Sequence, residues 1–407
     1  MRALPLPQPP DPLQDYRRAG GPAKDPDTLI VLLSSFSAPT GGGKDTSVDG
    51  GASTTDHGGG HLGRHAYIGS FTTGGGLGIT TAAVDPATGA LTPLAALNGI
   101  VNPACLALGG GGRFLYAVSD SDDGEGVVAA YRTTAGGLVP LGRPAPVGGR
   151  GPTHLGLAGG RLLTAHYASG SVSSLGLGAD GSPADEPCVL AHEGSGPDPD
   201  RQAGPHAHQV LADPSGRWIL SVDLGTDSVR VCALDPATGA LRVHAETALP
   251  AGSGPRHLAF GPGGDTAYVV HELEPLLTVC RWDAAAGRLD PAGGVPLGSS
   301  GAAGEREYPS VALVSGDGRF LRVAVRGSNL LHTFALAGDA GEPRHVQTVP
   351  CGGSWPRDLA ADPSGRRVYV SNEWSGDVTW FEADPASGRL SRSGQAEVPA
   401  AACVVFA

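Results

Sequence analysis

From Tyr67 to the C-terminus the chain alternates short apolar runs with Gly-, Pro- and Asp-rich breaks, and the pattern recurs about every 50 residues, a period that points to a propeller or solenoid. Each unit has four parts. A short first strand follows a Pro or basic residue: Pro103-Ala104-Cys105-Leu106, Pro152-Thr153-His154-Leu155, His206-Ala207-His208-Gln209, Pro255-Arg256-His257-Leu258, Tyr308-Pro309-Ser310-Val311 and Pro356-Arg357-Asp358-Leu359. A second, strongly apolar strand comes after a Gly-containing turn: RFLYAVS, RLLTAHY, RWILSVD, TAYVVHE, RFLRVAV and RVYVSNE. A third strand (VVAAY, SVSSL, SVRVCALD, LLTVCRWD, LLHTFAL, VTWFEAD) leads through DPATGAL-type turns to a weaker, more polar fourth.

Six units are complete and a seventh is split. AYIGSFT, GITTAAVD and LTPLAAL near the N-terminus supply a second, third and fourth strand with no first, and Ala402-Cys403-Val404-Val405-Phe406 is a lone strand at the other end. Pairing the two fragments would close a ring and hide its open edges. The sequence therefore predicts an all-β, seven-bladed propeller of four-stranded antiparallel blades over residues 65–407, sealed by one C-terminal and three N-terminal strands. Residues 1–64 read differently. PLPQPPDP, GGGKD and GGASTTDHGGG carry little strand pattern, and a disordered extension is expected. Gly41-Gly42-Gly43-Lys44 lacks the first Gly of a phosphate loop and is followed by Asp45 where Ser or Thr is required. His57, His61 and His65 are spaced four apart, but the Gly run among them disfavours a helix.

Composition narrows the function classes. The 65 Gly and 35 Pro fall mostly at turns, and with few aromatics and 1 Met the core must be built of Val, Leu, Ala and Ile. The net charge of −12 argues against nucleic acid as the main partner, which would need a basic patch or stripe. Lys24 and Lys44 are the only lysines, so every later fixed cation is Arg. The 6 cysteines are widely spaced with no CxxC, as expected of buried reduced thiols. No apolar run approaches the roughly 20 residues of a membrane span, and the Leu29–Leu33 island lacks a signal-peptide layout, so a cytoplasmic protein is expected.

The loops entering first strands and leaving second strands should converge at one mouth of the central channel. GPTH (151–154), GPHAH (204–208), GPRH (254–257), Glu272-Leu273, Arg326-Gly327-Ser328-Asn329 and Pro356-Arg357 lie at these points. Together with Tyr67–Thr72, Asp85–Leu91 and Asn102-Pro103, they resemble the lactonase propellers of the bacterial 6-phosphogluconolactonase type, relatives of carboxy-cis,cis-muconate cyclase. The resemblance covers Tyr67 to the C-terminus. It implies that His208, Arg256, Glu272 and Arg326 act at the channel mouth. From their places at the starts of the inner strands, His206, His154 and Arg357 are expected as substrate-binding groups. Ser119-Asp120, Val325 and His271 depart from the family's usual residues, which bears on substrate more than on chemistry.

The residue types suit that chemistry on their own. Opening a lactone needs a water, a base to take its proton and positive charge where the carbonyl oxygen becomes negative. Glu272 or His208 can be the base. Arg256 and Arg326 can stabilise the oxyanion or grip a carboxylate or phosphate with paired N–H groups. No G-x-S-x-G elbow signals a covalent nucleophile. His206 and His208, two apart on a strand, should face the same side; an H-x-H pair can hold zinc, but no third ligand is evident and no metal or cofactor is expected. The expected partner is a phosphorylated or carboxylated lactone, with neither nucleic acid nor membrane, and the chain is expected to be a monomer or weak homodimer. The alternatives are a muconate-type cycloisomerase using the same site, and a non-catalytic propeller binding a small molecule or protein.

Overall fold

The computed structural model describes residues 65–407 apart from 121–123, 185, 299–305 and 338–341. The expectations for residues 1–64, including the Gly41–Lys44 run, lie outside the described residues. The described strands form seven antiparallel sheets, each a blade of four strands; one blade carries an additional short strand, Ala145–Pro146. The split blade is closed as the sequence implies. The C-terminal strand Ala401–Phe406 pairs with His65–Ser70, with Tyr67 opposite Val405, and two more N-terminal strands complete it. Among the described residues no helix is long and apolar enough to cross a membrane.

The period-2 geometry of a strand explains how the ring coheres. Successive side chains of a middle strand point to opposite faces, and in a propeller both faces are buried against neighbouring blades. In Thr266–His271, Ala267 and Val269 pack on the preceding blade beside Trp218 and Leu220, whereas Tyr268 and Val270 pack on the following one beside Leu321 and Val323. Seven such clusters occupy the seven interfaces between blades, and the last joins Tyr369, Val378 and Trp380 to Ala66, Ile68 and Val404 across the seam.

A second joint repeats at the rim. In the DPATGAL turns the Asp side chain accepts from the backbone N–H groups two and three residues on, as Asp85 Oδ1 does from Ala87 and Thr88 at 2.9 and 2.7 Å. The turn ends on a Gly in the left-handed region. Gly89 (φ 72°) leaves the space into which Arg367 of the preceding blade lies, bonding the Ala87 carbonyl while Tyr369 Oη donates to the Gly89 carbonyl at 2.8 Å. Gly239 makes the same room for Arg161.

Two features of the inner strands position the site. The first is a β-bulge near the start of most of them. His208 is the extra residue between Ala207, opposite Asp223, and Gln209, opposite Val222. Thr153, Arg256, Ser310 and Arg357 are extra in the same way in their own blades. The second is a belt formed by the residue after each bulge, which bonds the backbone of the next inner strand. Gln209 accepts from Leu258 N–H (2.6 Å) and donates to its carbonyl (3.3 Å), His257 accepts from Ala312 N–H (3.4 Å), and Asp358 accepts from Val404 N–H (3.4 Å). His154 bonds Val210, Cys105 bonds Leu155 and Cys403 bonds Leu106 in the same sense. Where Val311 breaks the pattern, Ser310 Oγ donates to the Pro356 carbonyl at 2.8 Å instead. All six cysteines are unbridged, as the sequence implied; four are buried, whereas Cys105 and Cys188 are only partly so.

Candidate active site

The bulge residues and the ends of the second strands meet at one mouth of the channel, with Glu272 at the centre. This residue follows Thr266–His271 and is itself only 6 % exposed. One carboxylate oxygen lies 2.7 Å from Arg201 Nη2; the other lies 2.7 Å from Arg326 Nη2 and 2.9 Å from Arg256 Nε, the last at an angle too bent for a hydrogen bond. Burial works against the charge of Glu272, but Arg326, Arg201 and Arg256 together hold its carboxyl well below the usual range. Two of the guanidinium groups are fixed by backbone and the third by a side chain. Arg326 Nε donates to the Tyr308 carbonyl at 3.1 Å, Arg256 Nη1 donates to the Ser310 carbonyl, and Arg201 Nη2 is shared with Tyr167 Oη at 3.2 Å. Burial and the adjacent Arg326 charge pull Arg256 down to about 9, still cationic at neutral pH. Burial opposes Arg201 too, but Glu272 and Tyr167 outweigh it and hold that guanidinium above its ordinary value.

His208 stands beside this cluster. Burial, and then Arg256, push its pKa well below 6.5, so its imidazole is neutral at physiological pH. Arg357, the bulge residue on the other side, pairs with Glu373 at 3.0 Å and lies over the Phe71 ring at 4.5 Å. The four guanidinium groups thus face two carboxylates, Glu272 and Glu373, and the mouth carries excess positive charge in a protein of net −12. Burial raises Asp358, in the belt beneath, to about 6, so at neutral pH it is still mostly ionised and offsets part of that excess.

The structure therefore brings together His208, Arg256, Glu272, Arg326 and Arg357, and places the two remaining candidates differently. His154 sits in the belt, edge-on to His257 at 6.2 Å, and burial lowers it to about 4. His206 does not share a strand face with His208. The strand begins at Ala207 and the bulge at His208 breaks the alternation, so the two rings meet Tyr167 in different ways: His206 stacks on it at 4.4 Å, while His208 approaches edge-on at 5.9 Å. His206 Nδ1 donates to the Tyr167 carbonyl at 2.7 Å, which fixes its tautomer and orientation. Among the described residues no group of three or more His, Cys, Asp or Glu side chains is placed to hold a metal ion.

Comparison with known proteins agrees with this architecture. Residues 65–406 match the model of the seven-bladed β-propeller lactonases. The chain belongs to that family. The lactonase relatives include the 6-phosphogluconolactonase of Bacillus subtilis, 32 % identical over 84 % of this chain and 97 % of its own length. The periplasmic gluconolactonase PpgL of Pseudomonas aeruginosa superposes with a TM-score of 0.79 at 31 % identity, covering 84 % of this chain and 98 % of that one. A crystal structure described as a putative 6-phosphogluconolactonase from Bacteroides fragilis gives 0.78 at 27 % identity over 88 % and 100 %. The enzyme class is accordingly that of a lactone-hydrolysing carboxylic-ester hydrolase.

Two members of this lactonase's mouth escaped the sequence reading. Tyr167 occupies the position in its blade that Glu272 occupies in its own, directly after the second strand, so the repeat could have found it. Arg201 lies in the loop before GPHAH, outside any repeated position. That loop is tied down by Gln202, which donates to the Leu224 carbonyl and Asp227 at 2.8 and 2.7 Å, and no sequence signal marks Arg201 as the third cation on Glu272.

Proposed function

We propose that this mouth hydrolyses a phosphorylated sugar-acid lactone, 6-phosphogluconolactone, to the open acid. The observation that carries the reading is the carboxylate of Glu272 held by three arginines next to a neutral His208. A carboxylate so paired is a weak proton acceptor, and we assign Glu272 to holding Arg201, Arg256 and Arg326 in place. His208 is the base. It takes the proton of a water whose oxygen bonds to the lactone carbonyl carbon; Arg256 and Arg326 stabilise the resulting oxyanion; the ring C–O bond then breaks and the imidazolium returns the proton to the departing oxygen. We assign Arg357 and Arg201 to the phosphate, which a guanidinium grips through two N–H groups.

The test compares 6-phosphogluconolactone with glucono-1,5-lactone, which lacks the phosphate. Wild type should prefer the phosphorylated ester in kcat/KM, and Arg357→Ala should reduce that preference about 10- to 100-fold, the cost of one to two charge-assisted contacts. Equal rates on both esters, unaffected by Arg357→Ala, would replace the phosphate assignment with an unphosphorylated gluconolactone.

A further inference from the structure

Arg256 and Arg357, the two bulge residues that are arginines, share a support that the other bulges lack. Where the third strand of a blade begins, one carbonyl accepts the N–H just past the outermost strand, at 2.8–3.0 Å; the residues in this position are Gly126, Gly170, Asp227, Pro275, Asn329 and Gly376. Asp227 (φ 49°) and Asn329 (φ 56°) are left-handed there, as Gly170 (59°) and Gly376 (67°) are. Glycine adopts that conformation freely, whereas a residue with a Cβ is strained in it, and such strain commonly marks a working site.

The two side chains that replace glycine do the same thing. Asp227 Oδ1 accepts from the Gly254 N–H at 2.8 Å and Asn329 Oδ1 from the Trp355 N–H at 2.7 Å. Gly254 and Trp355 correspond: each directly precedes a Pro-Arg pair, and each is itself left-handed, at φ 60° and 65°. Each acceptor thus fixes the backbone two residues before a bulge arginine, from the neighbouring blade. The positions before the bulges at Thr153, His208 and Ser310 are Gly126, Gly170 and Pro275, which carry no side-chain acceptor. Asp227 reaches further. Its Oδ2 accepts from the Gly252 N–H at 2.7 Å, and its Oδ1 also accepts from Gln202 Nε2 at 2.7 Å, in the loop of Arg201. The Gly254 carbonyl in turn accepts the Glu272 N–H at 2.7 Å. One buried carboxylate therefore joins the segments of Arg201, Arg256 and Glu272.

We propose that Asp227 and Asn329 are positioning residues of the arginine mouth: Asp227 aims Arg256 at the oxyanion, and Asn329 aims Arg357 at the phosphate. A donor displaced by an ångström loses much of its effect on the reaction, so a fixed backbone ahead of each bulge has a kinetic consequence. The inference rests on the lactonase reading for what the arginines do, and on the hydrogen bonds alone for how they are held.

The test uses Asp227→Gly and Asn329→Gly. Each removes the acceptor and installs the residue that stands at the same left-handed turn in Gly170 and Gly376, so both variants should fold. Crystal structures beside wild type should show Arg256 drawn away from Glu272 in Asp227→Gly, and the Arg357–Glu373 pair displaced in Asn329→Gly. On glucono-1,5-lactone, Asp227→Gly should lower kcat about 10- to 100-fold with much less change in KM, and Asp227→Asn, which keeps one acceptor oxygen, should recover part of the loss. Asn329→Gly should act mainly on 6-phosphogluconolactone, lowering its preference over glucono-1,5-lactone about tenfold. Arginines that keep their places in the Gly variants, or an active wild type whose Gly variants are equally fast, overturn the proposal. If the arginines move but wild type hydrolyses neither ester above its spontaneous rate, the positioning stands and the lactonase reading falls.

Discussion

Glu272 shows how much of a buried residue's surroundings its own segment implies. At the end of the apolar run Tyr268-Val269-Val270, an unpaired carboxylate would be costly, so the sequence alone demands a cationic partner. It does not reveal that there are three, because Arg201, Arg256 and Arg326 come from three separate segments. The paired state makes the consequences specific. Glu272→Gln leaves buried guanidinium groups uncompensated and should lower stability by about 3–5 kcal/mol, measured by chemical denaturation. Arg201→Ala, outside the family motifs, should lower kcat/KM by about tenfold or more through release of Glu272 and Tyr167. The neutral state of His208 sets the pH profile. If it is the base, kcat/KM should stay flat from pH 8 through 6.5 and decline only well below the ordinary histidine range. A limb centred near 6.5 would move the role to another group.

At the scale of strands and turns, the repeat made the blades legible. Each second strand is a run of apolar residues, and each DPATGAL turn carries its own Asp and Gly. The bulges were not legible. Nothing in Pro205-His206-Ala207-His208 says that His208 rather than His206 faces the cluster, because the extra residue is set by pairing with Val222 and Asp223 across the blade. The belt was hidden for the same reason: Gln209 and His154 read as polar residues of unknown orientation until the next inner strand is placed beside them. The rim joints give an element-level prediction. Gly89→Ala puts a Cβ at φ 72° and 2.2 Å from Arg367 Cδ, at the contact that closes the seam. It should destabilise by more than the roughly 1–2 kcal/mol of the backbone alone. The same substitution at Gly111, which also has positive φ but meets nothing within 4 Å, should cost only the backbone term. Equal melting-temperature losses in the two variants would argue against the joint.

The whole molecule buries an unusual number of imidazoles. Burial lowers His154, His166 and His332 to about 4 and His271 to about 3, and His208 and His257 lie well below 6.5. Below pH 6.5 the unfolded chain takes up protons that the folded chain does not, so stability is complete above that pH and falls as the pH drops toward 4. The slope is about 1.4 kcal/mol per pH unit for each group. Asp358, raised to about 6, acts in the opposite direction over part of this window, but it is one group against six. The melting temperature should therefore be level from pH 8 to 6.5 and drop by several degrees or more by pH 5.

At this scale too, the ring places the chemistry. Seven blades carry the bulged inner strands around one channel, and one mouth of it gathers His208 and four arginines into a positive site within an acidic protein. The most direct measurement is the hydrolysis rate of freshly prepared 6-phosphogluconolactone, read against its appreciable spontaneous rate, for wild type, Arg256→Ala and Glu272→Gln. The account predicts a clear wild-type acceleration that falls at least about a hundredfold in both variants, the scale expected when oxyanion stabilisation is removed. A wild-type rate no faster than buffer, or variants as active as wild type, would contradict it.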